Sequence, residues 1–156
     1  MIVKIDQLQS VAQAIVLYMK ENKNVDEAKG LLLSGDLGAG KTTLVQHISR
    51  ALGVLHLVPS PTFVIMRSYE TADPDFSCLV HIDAYRIEKK EEIAPLKLTH
   101  VFSNPHALVC IEWPEKLEGS VPASSVSILL TVVSDTEREL AVQGDLGERI
   151  ARALQI

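Results

Sequence analysis

Apolar residues recur every three or four positions in three stretches of the chain, the spacing that lines one face of an α-helix. These stretches cover residues 8–19, 44–52 and 150–154. The apolar opening at 1–5 predicts a short strand, and Asp6 after it has the side chain of a helix N-cap. The pattern therefore predicts one short strand at the start and helices at the start, middle and end of the chain.

Unbroken or alternating apolar runs predict the strands, because a strand buried on both faces is apolar throughout and a half-buried one alternates. The runs lie at 31–33, 63–69, 78–82, 107–111, 126–133 and 137–142. Turn-forming residues at 71–75 and 134–136 predict two hairpins. The charged run 86–92 predicts a solvated helical face, and Pro95 is the residue expected to end that helix.

The chain has 156 residues, of which 47% are hydrophobic, so we expect one core and a single domain over 1–156. The formal net charge of −5 disfavours a broad surface for a nucleic-acid backbone. Cys78 and Cys110 stand in apolar runs, which indicates reduced core thiols and a cytoplasmic protein. No apolar run approaches the roughly 20 residues that cross a bilayer, so we expect no membrane partner.

The stretch between the first buried run and the second helix fits the phosphate-binding pattern G-x-x-x-x-G-K-[ST] at every fixed position. Its glycines let the backbone wrap closely around an anion, and the amides at the start of the following helix point toward it. In such loops the lysine, here Lys41, binds the β and γ phosphates, and the hydroxyl, here Thr42, binds Mg²⁺. The predicted nucleotide-binding residues of this stretch are Gly35, Asp36, Leu37, Gly38, Ala39, Gly40, Lys41, Thr42 and Thr43.

Two buried runs end in an acidic residue, Asp83 after 78–82 and Glu112 after 107–111. In open α/β sheets, ligands bind beyond the carboxyl ends of the strands. We therefore expect Asp83 and Glu112 to converge on a metal ion beside Thr42, if their strands neighbour the strand of the phosphate loop. The fold predicted by these elements is an α/β fold like that of the P-loop NTPases, with a mostly parallel central sheet, antiparallel additions and flanking helices.

Three further residues have two interpretations each. Thr62, after the phosphate-loop helix, is either a turn residue or a residue that meets the γ-phosphate or its Mg²⁺. Trp113, next to Glu112, is either a core residue or a wall of the pocket. His81 has no matching Cys or His cluster, and we interpret it as a packed, hydrogen-bonded histidine rather than a metal ligand.

Four blocks of the sequence resemble, in order and spacing, those of the TsaE (YjeE) family, the bacterial ATPases of tRNA threonylcarbamoyladenosine synthesis. The blocks are GDLGAGKTT at 35–43, SPTF at 60–63, HIDAYR at 81–86 and IEWPE at 111–115. The resemblance implies ATP binding and Mg²⁺-dependent hydrolysis that keep a threonylcarbamoyl transferase complex of TsaD and TsaB turning over. It also implies that the chain meets tRNA indirectly, through that complex, which modifies the adenosine next to the anticodon.

The resemblance also implies a role for the residues at matching positions. Lys41 would hold the phosphates, while Thr42 and Glu112 would hold Mg²⁺. Asp83 would be the strand-end acid of hydrolysis, and Thr62 would be the switch residue.

Two weaker matches lie outside these blocks. Ser10 stands where the family has a Thr near the nucleotide, and Arg138 stands where it has an Arg in the late hairpin. The chain departs from the family pattern at 46–47 and at Ala84, away from the proposed chemistry. These departures leave the affinity for partner proteins open.

Two other functions use the same phosphate loop. A small-molecule kinase usually carries an Arg-rich closing segment, whereas this chain has only Arg67 and Arg86 in its middle and no insertion to form one. A non-catalytic nucleotide-binding adaptor would not need the set formed by Lys41, Asp83 and Glu112. The sequence therefore favours an ATPase. A measurement of ATP hydrolysis with and without the partner complex tests this best.

Overall fold

The computed structural model describes residues 1–55, 58–59, 61, 64–117, 119–142 and 144–156. Within them the chain forms seven strands and four α-helices. In chain order these are β1 (Ile2–Lys4), α1 (Leu8–Glu21), β2 (Lys29–Ser34), α2 (Lys41–Ala51), β3 (Met66–Glu70), β4 (Cys78–Asp83), α3 (Leu98–Phe102), β5 (Ala107–Glu112), β6 (Val126–Val132), β7 (Glu137–Val142) and α4 (Asp145–Leu154). Among these helices, none combines the length and apolar character needed to cross a membrane.

The strands form one sheet in the order β1-β7-β6-β2-β5-β4-β3. The central strands β6, β2, β5 and β4 run parallel. The outer pairings, β1 with β7, β7 with β6 and β3 with β4, are antiparallel. This confirms the predicted α/β fold with its mostly parallel centre. Because β5 lies between β2 and β4, the carboxyl ends that carry the phosphate loop and the two acidic residues are neighbours in the sheet.

Two apolar cores cover the two faces of the sheet, one beneath α1, α2 and α4 and the other beneath α3. Side chains alternate between these cores along each strand. On β5, Cys110 belongs to the core on the α2 side and Ile111 to the other, so Glu112 returns to the α2 side. On β4, Leu79 belongs to the α2 side, and the same alternation places Asp83 there. Alternation thus brings both carboxylates to the face on which α2 packs.

The thiols and the first helix test two local predictions. Cys78 and Cys110 are free thiols, as predicted, and burial raises the pKa of the Cys110 thiol. Asp6, however, does not cap α1. It lies in a 3-10 turn at Ile5–Gln7, and Gln7 is the residue directly before the helix. The Gln7 side-chain oxygen accepts a hydrogen bond from the backbone amide of residue 4 at 2.8 Å.

The predicted helix over 86–92 is wrong. The structure has two 3-10 turns there, Lys90–Glu92 and Ala94–Leu96, and Pro95 lies inside the second turn instead of ending a helix. The Glu92 carboxylate accepts hydrogen bonds from two backbone amides of the run, at 2.8 and 2.9 Å. These bonds cap the first 3-10 turn, whose N-cap is Lys89, so helical backbone begins only at Lys90 and not at residue 86.

Candidate functional site

The phosphate loop joins β2 to α2, which is the strand, loop and helix order that the sequence predicted. Gly35, Gly38 and Gly40 have φ angles of +134°, +81° and +102°. Residues other than glycine rarely adopt this region, so the glycines permit the path of the loop. The helix begins at Lys41, and the amide of Leu44 donates to the carbonyl of Gly40 at 2.9 Å. The amides of the first helical turn are left to bind an anion.

We predict that Gly35→Ala lowers the free energy of unfolding by about 2–5 kcal/mol, through backbone strain and overpacking. A Cβ atom there would lie 2.1 Å from the carbonyl oxygen of Leu130 in β6. Gly38→Ala is the matched control, because its φ is also positive but nothing lies within 4 Å of the added atom. Urea denaturation of both variants measures the difference, and equal losses would contradict this account of Gly35.

Lys41 is almost completely buried, with 4% of its surface exposed. Its Nζ donates to the carbonyl oxygens of Gly35 at 2.6 Å and Asp36 at 2.8 Å, and it lies 4.1 Å from the centre of the Trp113 ring. Desolvation lowers the pKa of this amine, while the nearby carboxylates, Glu112 foremost, oppose the shift. A desolvated cation at the mouth of the loop attracts phosphate strongly.

The Thr42 hydroxyl lies against the Glu112 carboxylate, 2.8 Å from Oε1 and 2.9 Å from Oε2. Glu112 is 3% exposed, and Asp83, its register partner on β4, is 6% exposed. A hydroxyl and a carboxylate are the hard oxygen donors that Mg²⁺ prefers. The described residues contain no cluster of three or more His, Cys, Asp and Glu that could enclose a metal ion. This donor set fits Mg²⁺, because Mg²⁺ takes one or two protein ligands and completes its shell with phosphates and water.

A cavity of about 260 Å³ opens above the loop and the two strand ends. It brings together most of the predicted site residues. Those in its lining are Leu37, Gly38, Gly40, Lys41, Thr42, Thr43, Asp83, Glu112 and Trp113. The loop and the strand-end carboxylates therefore face one space.

Tyr85 is a residue of this cavity that sequence reasoning missed. Its ring centre lies 5.3 Å from that of Trp113, and the two planes are tilted by 50°. The sequence held one signal for Tyr85, because this residue follows the strand-end Asp83 by two positions. In the structure, the Tyr85 amide donates to Oδ1 of that aspartate at 3.1 Å. The aromatic pair forms one wall of the cavity beside the Lys41 ammonium.

Arg138, on β7, reaches the phosphate loop from a strand 99 positions away in sequence. Its Nε donates to the carbonyl of Ala39 at 3.0 Å, and one of its terminal nitrogens donates to the carbonyls of Ser134 and Glu137, both at 2.8 Å. The guanidinium thus links the β6–β7 turn to the loop.

The structure places Ser10 away from this cavity. Ser10 lines a separate cavity between α1 and α4, together with Arg149 and Arg152. Its contact with a nucleotide stays a prediction that this placement does not favour. Thr62 lies outside the described residues, so its role as switch residue also stays a prediction.

Comparison with known proteins agrees with the blocks noted above. Residues 2–140 match the model of the family described as TsaE, threonylcarbamoyl adenosine biosynthesis protein. A tRNA threonylcarbamoyladenosine biosynthesis protein TsaE of Haemophilus influenzae is 32% identical over 83% of this chain and 80% of its own length. Its counterpart in Streptomyces coelicolor is 38% identical, over 79% of this chain and 84% of that one. In fold, the crystal structure of Bacillus subtilis YdiB superposes with a TM-score of 0.69 and 23% identity, covering 99% of this chain and 93% of YdiB.

Proposed function

Because the chain belongs to the TsaE family of threonylcarbamoyl adenosine biosynthesis proteins, we propose that it binds and hydrolyses ATP with Mg²⁺ in support of threonylcarbamoyladenosine formation in tRNA. The observation that carries the proposal is the contact between the Thr42 hydroxyl and the Glu112 carboxylate, 2.8 Å from Oε1, at the start of α2. This contact sets two oxygen donors for a metal ion beside a buried lysine and a loop that can surround phosphate.

The loop amides and four side chains of the cavity have separate roles in this proposal. The amides of the glycine loop and the Nζ of Lys41 bind the phosphates of ATP, and Lys41 exchanges its bonds to loop carbonyls for bonds to phosphate. Thr42 and Glu112 hold Mg²⁺, which when bound neutralises charge on the β and γ phosphates. The Asp83 carboxylate, on the neighbouring strand, is the group that orients the attacking water.

We assign the partners TsaD and TsaB to the same proposal, with tRNA bound by that complex in the cytoplasm. The net charge of −5 agrees with indirect contact, because it disfavours broad binding to a phosphate backbone. A physical route from nucleotide to partner begins at Asp83. Its amide donates a hydrogen bond to the carbonyl of Ile65, just before β3, at 2.8 Å, so a change at Asp83 acts directly on Ile65.

We predict that affinity for a TsaD and TsaB complex differs with the nucleotide. A nucleotide shifts partner binding only by its own difference in affinity for the two forms, so ATP and ADP must differ measurably for hydrolysis to drive release. Calorimetric titration with a non-hydrolysable ATP analogue, with ADP and with neither measures this. A coupling of about 5-fold or more is expected, the usual lower range for linked sites. Equal affinities in all three states would refute nucleotide gating.

A further inference from the structure

His81 contributes to this site although it does not line the cavity. The residue lies within β4 and is fully buried, with 0% of its surface exposed. Its register partner is Cys110, and Glu112 follows two residues later on the same face of β5. This diagonal spacing is within reach of long side chains. The His81 Nε2 lies 2.8 Å from Oε1 of Glu112, which is a hydrogen bond between two buried groups.

The other ring nitrogen of His81, Nδ1, shows that a histidine at this buried position has an energetic cost. Nδ1 is buried, and in the part of the chain that the structure describes it has no hydrogen-bond partner. An unsatisfied buried polar atom costs about 1–3 kcal/mol, which an apolar residue such as Leu79 on the same face does not incur. The bond through Nε2 is the interaction that offsets this cost. Because a carboxylate only accepts, this hydrogen bond requires a proton on Nε2.

The bond fixes a carboxylate that would otherwise rotate. Glu112 has three side-chain torsions, and a glutamate side chain loses up to about 2 kcal/mol of rotamer entropy when it is ordered. The Thr42 hydroxyl shares its single hydrogen between Oε1 and Oε2, and Oε1 also accepts a hydrogen bond from His81 Nε2. His81 therefore holds the carboxylate toward the Thr42 hydroxyl, and Oε2 is the oxygen with more free electron-pair capacity for a cation.

We propose that His81 is a positioning residue that holds Glu112 in the orientation for Mg²⁺ and so sets the Mg²⁺ affinity of the site. The inference rests on the proposed function, since it needs a nucleotide-associated Mg²⁺ site at Thr42 and Glu112. Groups that orient a metal ligand typically change metal affinity by about 10–100-fold when they are removed. His81 acts through Glu112 and does not itself touch the nucleotide.

The test compares the Mg²⁺ concentration needed for half-maximal binding of a non-hydrolysable ATP analogue in three variants. His81→Leu replaces the donor with an apolar side chain, and we expect it to raise that concentration about 10-fold or more while nucleotide affinity without Mg²⁺ stays within about 2-fold. His81→Gln can place an amide donor near the same position, and we expect it to recover most of the wild-type response. Val80→Ala is the control, because Val80 neighbours His81 in the core but faces the other side of the sheet.

Two results would overturn the inference. One is an unchanged Mg²⁺ requirement in folded His81→Leu, and the other is an equal loss of binding with and without Mg²⁺. If that variant does not fold, ¹⁵N NMR of the wild-type imidazole decides, because the inference requires a proton on Nε2, and a ring with its proton on Nδ1 alone would refute it. A wild-type protein whose nucleotide binding ignores Mg²⁺ would instead refute the proposed function, and the NMR result would still report on the His81 bond.

Discussion

Lys41→Ala is expected to abolish tight ATP binding and to leave the protein folded. Hydrogen bonds to charged groups contribute about 1.5–3 kcal/mol each, so the loss of two bonds to phosphate lowers ATP affinity by roughly 10²–10⁴-fold. The effect on folding is small because the change removes two bonds to loop carbonyls but also relieves the burial of an amine. Calorimetry with ATP and urea denaturation measure the two quantities separately.

Lys29, on the strand that leads into the phosphate loop, provides the control for Lys41. Lys29 is the first residue of β2, at the opposite end of that strand from the phosphate loop. Lys29→Ala removes the same charge from the chain, and we expect it to leave ATP affinity unchanged. Wild-type affinity in Lys41→Ala, or an equal loss in both variants, would contradict the phosphate-loop account.

Glu112→Gln is expected to raise the Mg²⁺ requirement for nucleotide binding by about 10-fold or more. An amide keeps the shape of the carboxylate but loses the charge that attracts the cation. Binding without Mg²⁺ should change little, because the lysine and the loop amides make their contacts independently of Glu112. Titration of a non-hydrolysable ATP analogue with and without Mg²⁺ gives both numbers.

Glu115→Gln is the control for Glu112. Glu115 belongs to the same block, is exposed, and interacts with the Lys41 amine only through its charge. We expect Glu115→Gln to leave the Mg²⁺ requirement for nucleotide binding unchanged. An equal loss of binding with and without Mg²⁺ in Glu112→Gln would mean that this carboxylate contacts something other than the metal ion.

The strand ends were predictable because the sequence patterns that define them are local. Apolar runs that close on Asp83 and Glu112, together with the phosphate loop, locate the cavity without any knowledge of contacts. Local pattern failed at 86–92, where the Glu92 carboxylate caps a short 3-10 turn that begins only at Lys90. It also failed at Asp6, because that residue lies inside a 3-10 turn that precedes the helix.

Long-range contacts lay beyond the reach of the sequence. Arg138 was matched only by resemblance, and its bond to Ala39 depends on how the last hairpin packs against the loop. His81 was interpreted as a packed, hydrogen-bonded histidine, which is confirmed, but its partner Glu112 follows from the parallel register of β4 and β5. Lys41 is buried because it folds back onto two loop carbonyls, a contact that the residue pattern alone does not indicate.

The measurement that tests the central proposal most directly is ATP hydrolysis by the purified chain, alone and with TsaD and TsaB. The products are followed as ADP and inorganic phosphate, since a kinase would instead transfer the phosphate to an acceptor. We expect slow hydrolysis by the chain alone, clear stimulation by the partner complex, and neither in Lys41→Ala. Absence of hydrolysis under both conditions, or a rate that the Lys41→Ala change does not affect, would contradict the proposal that this phosphate loop is the active site of an ATPase.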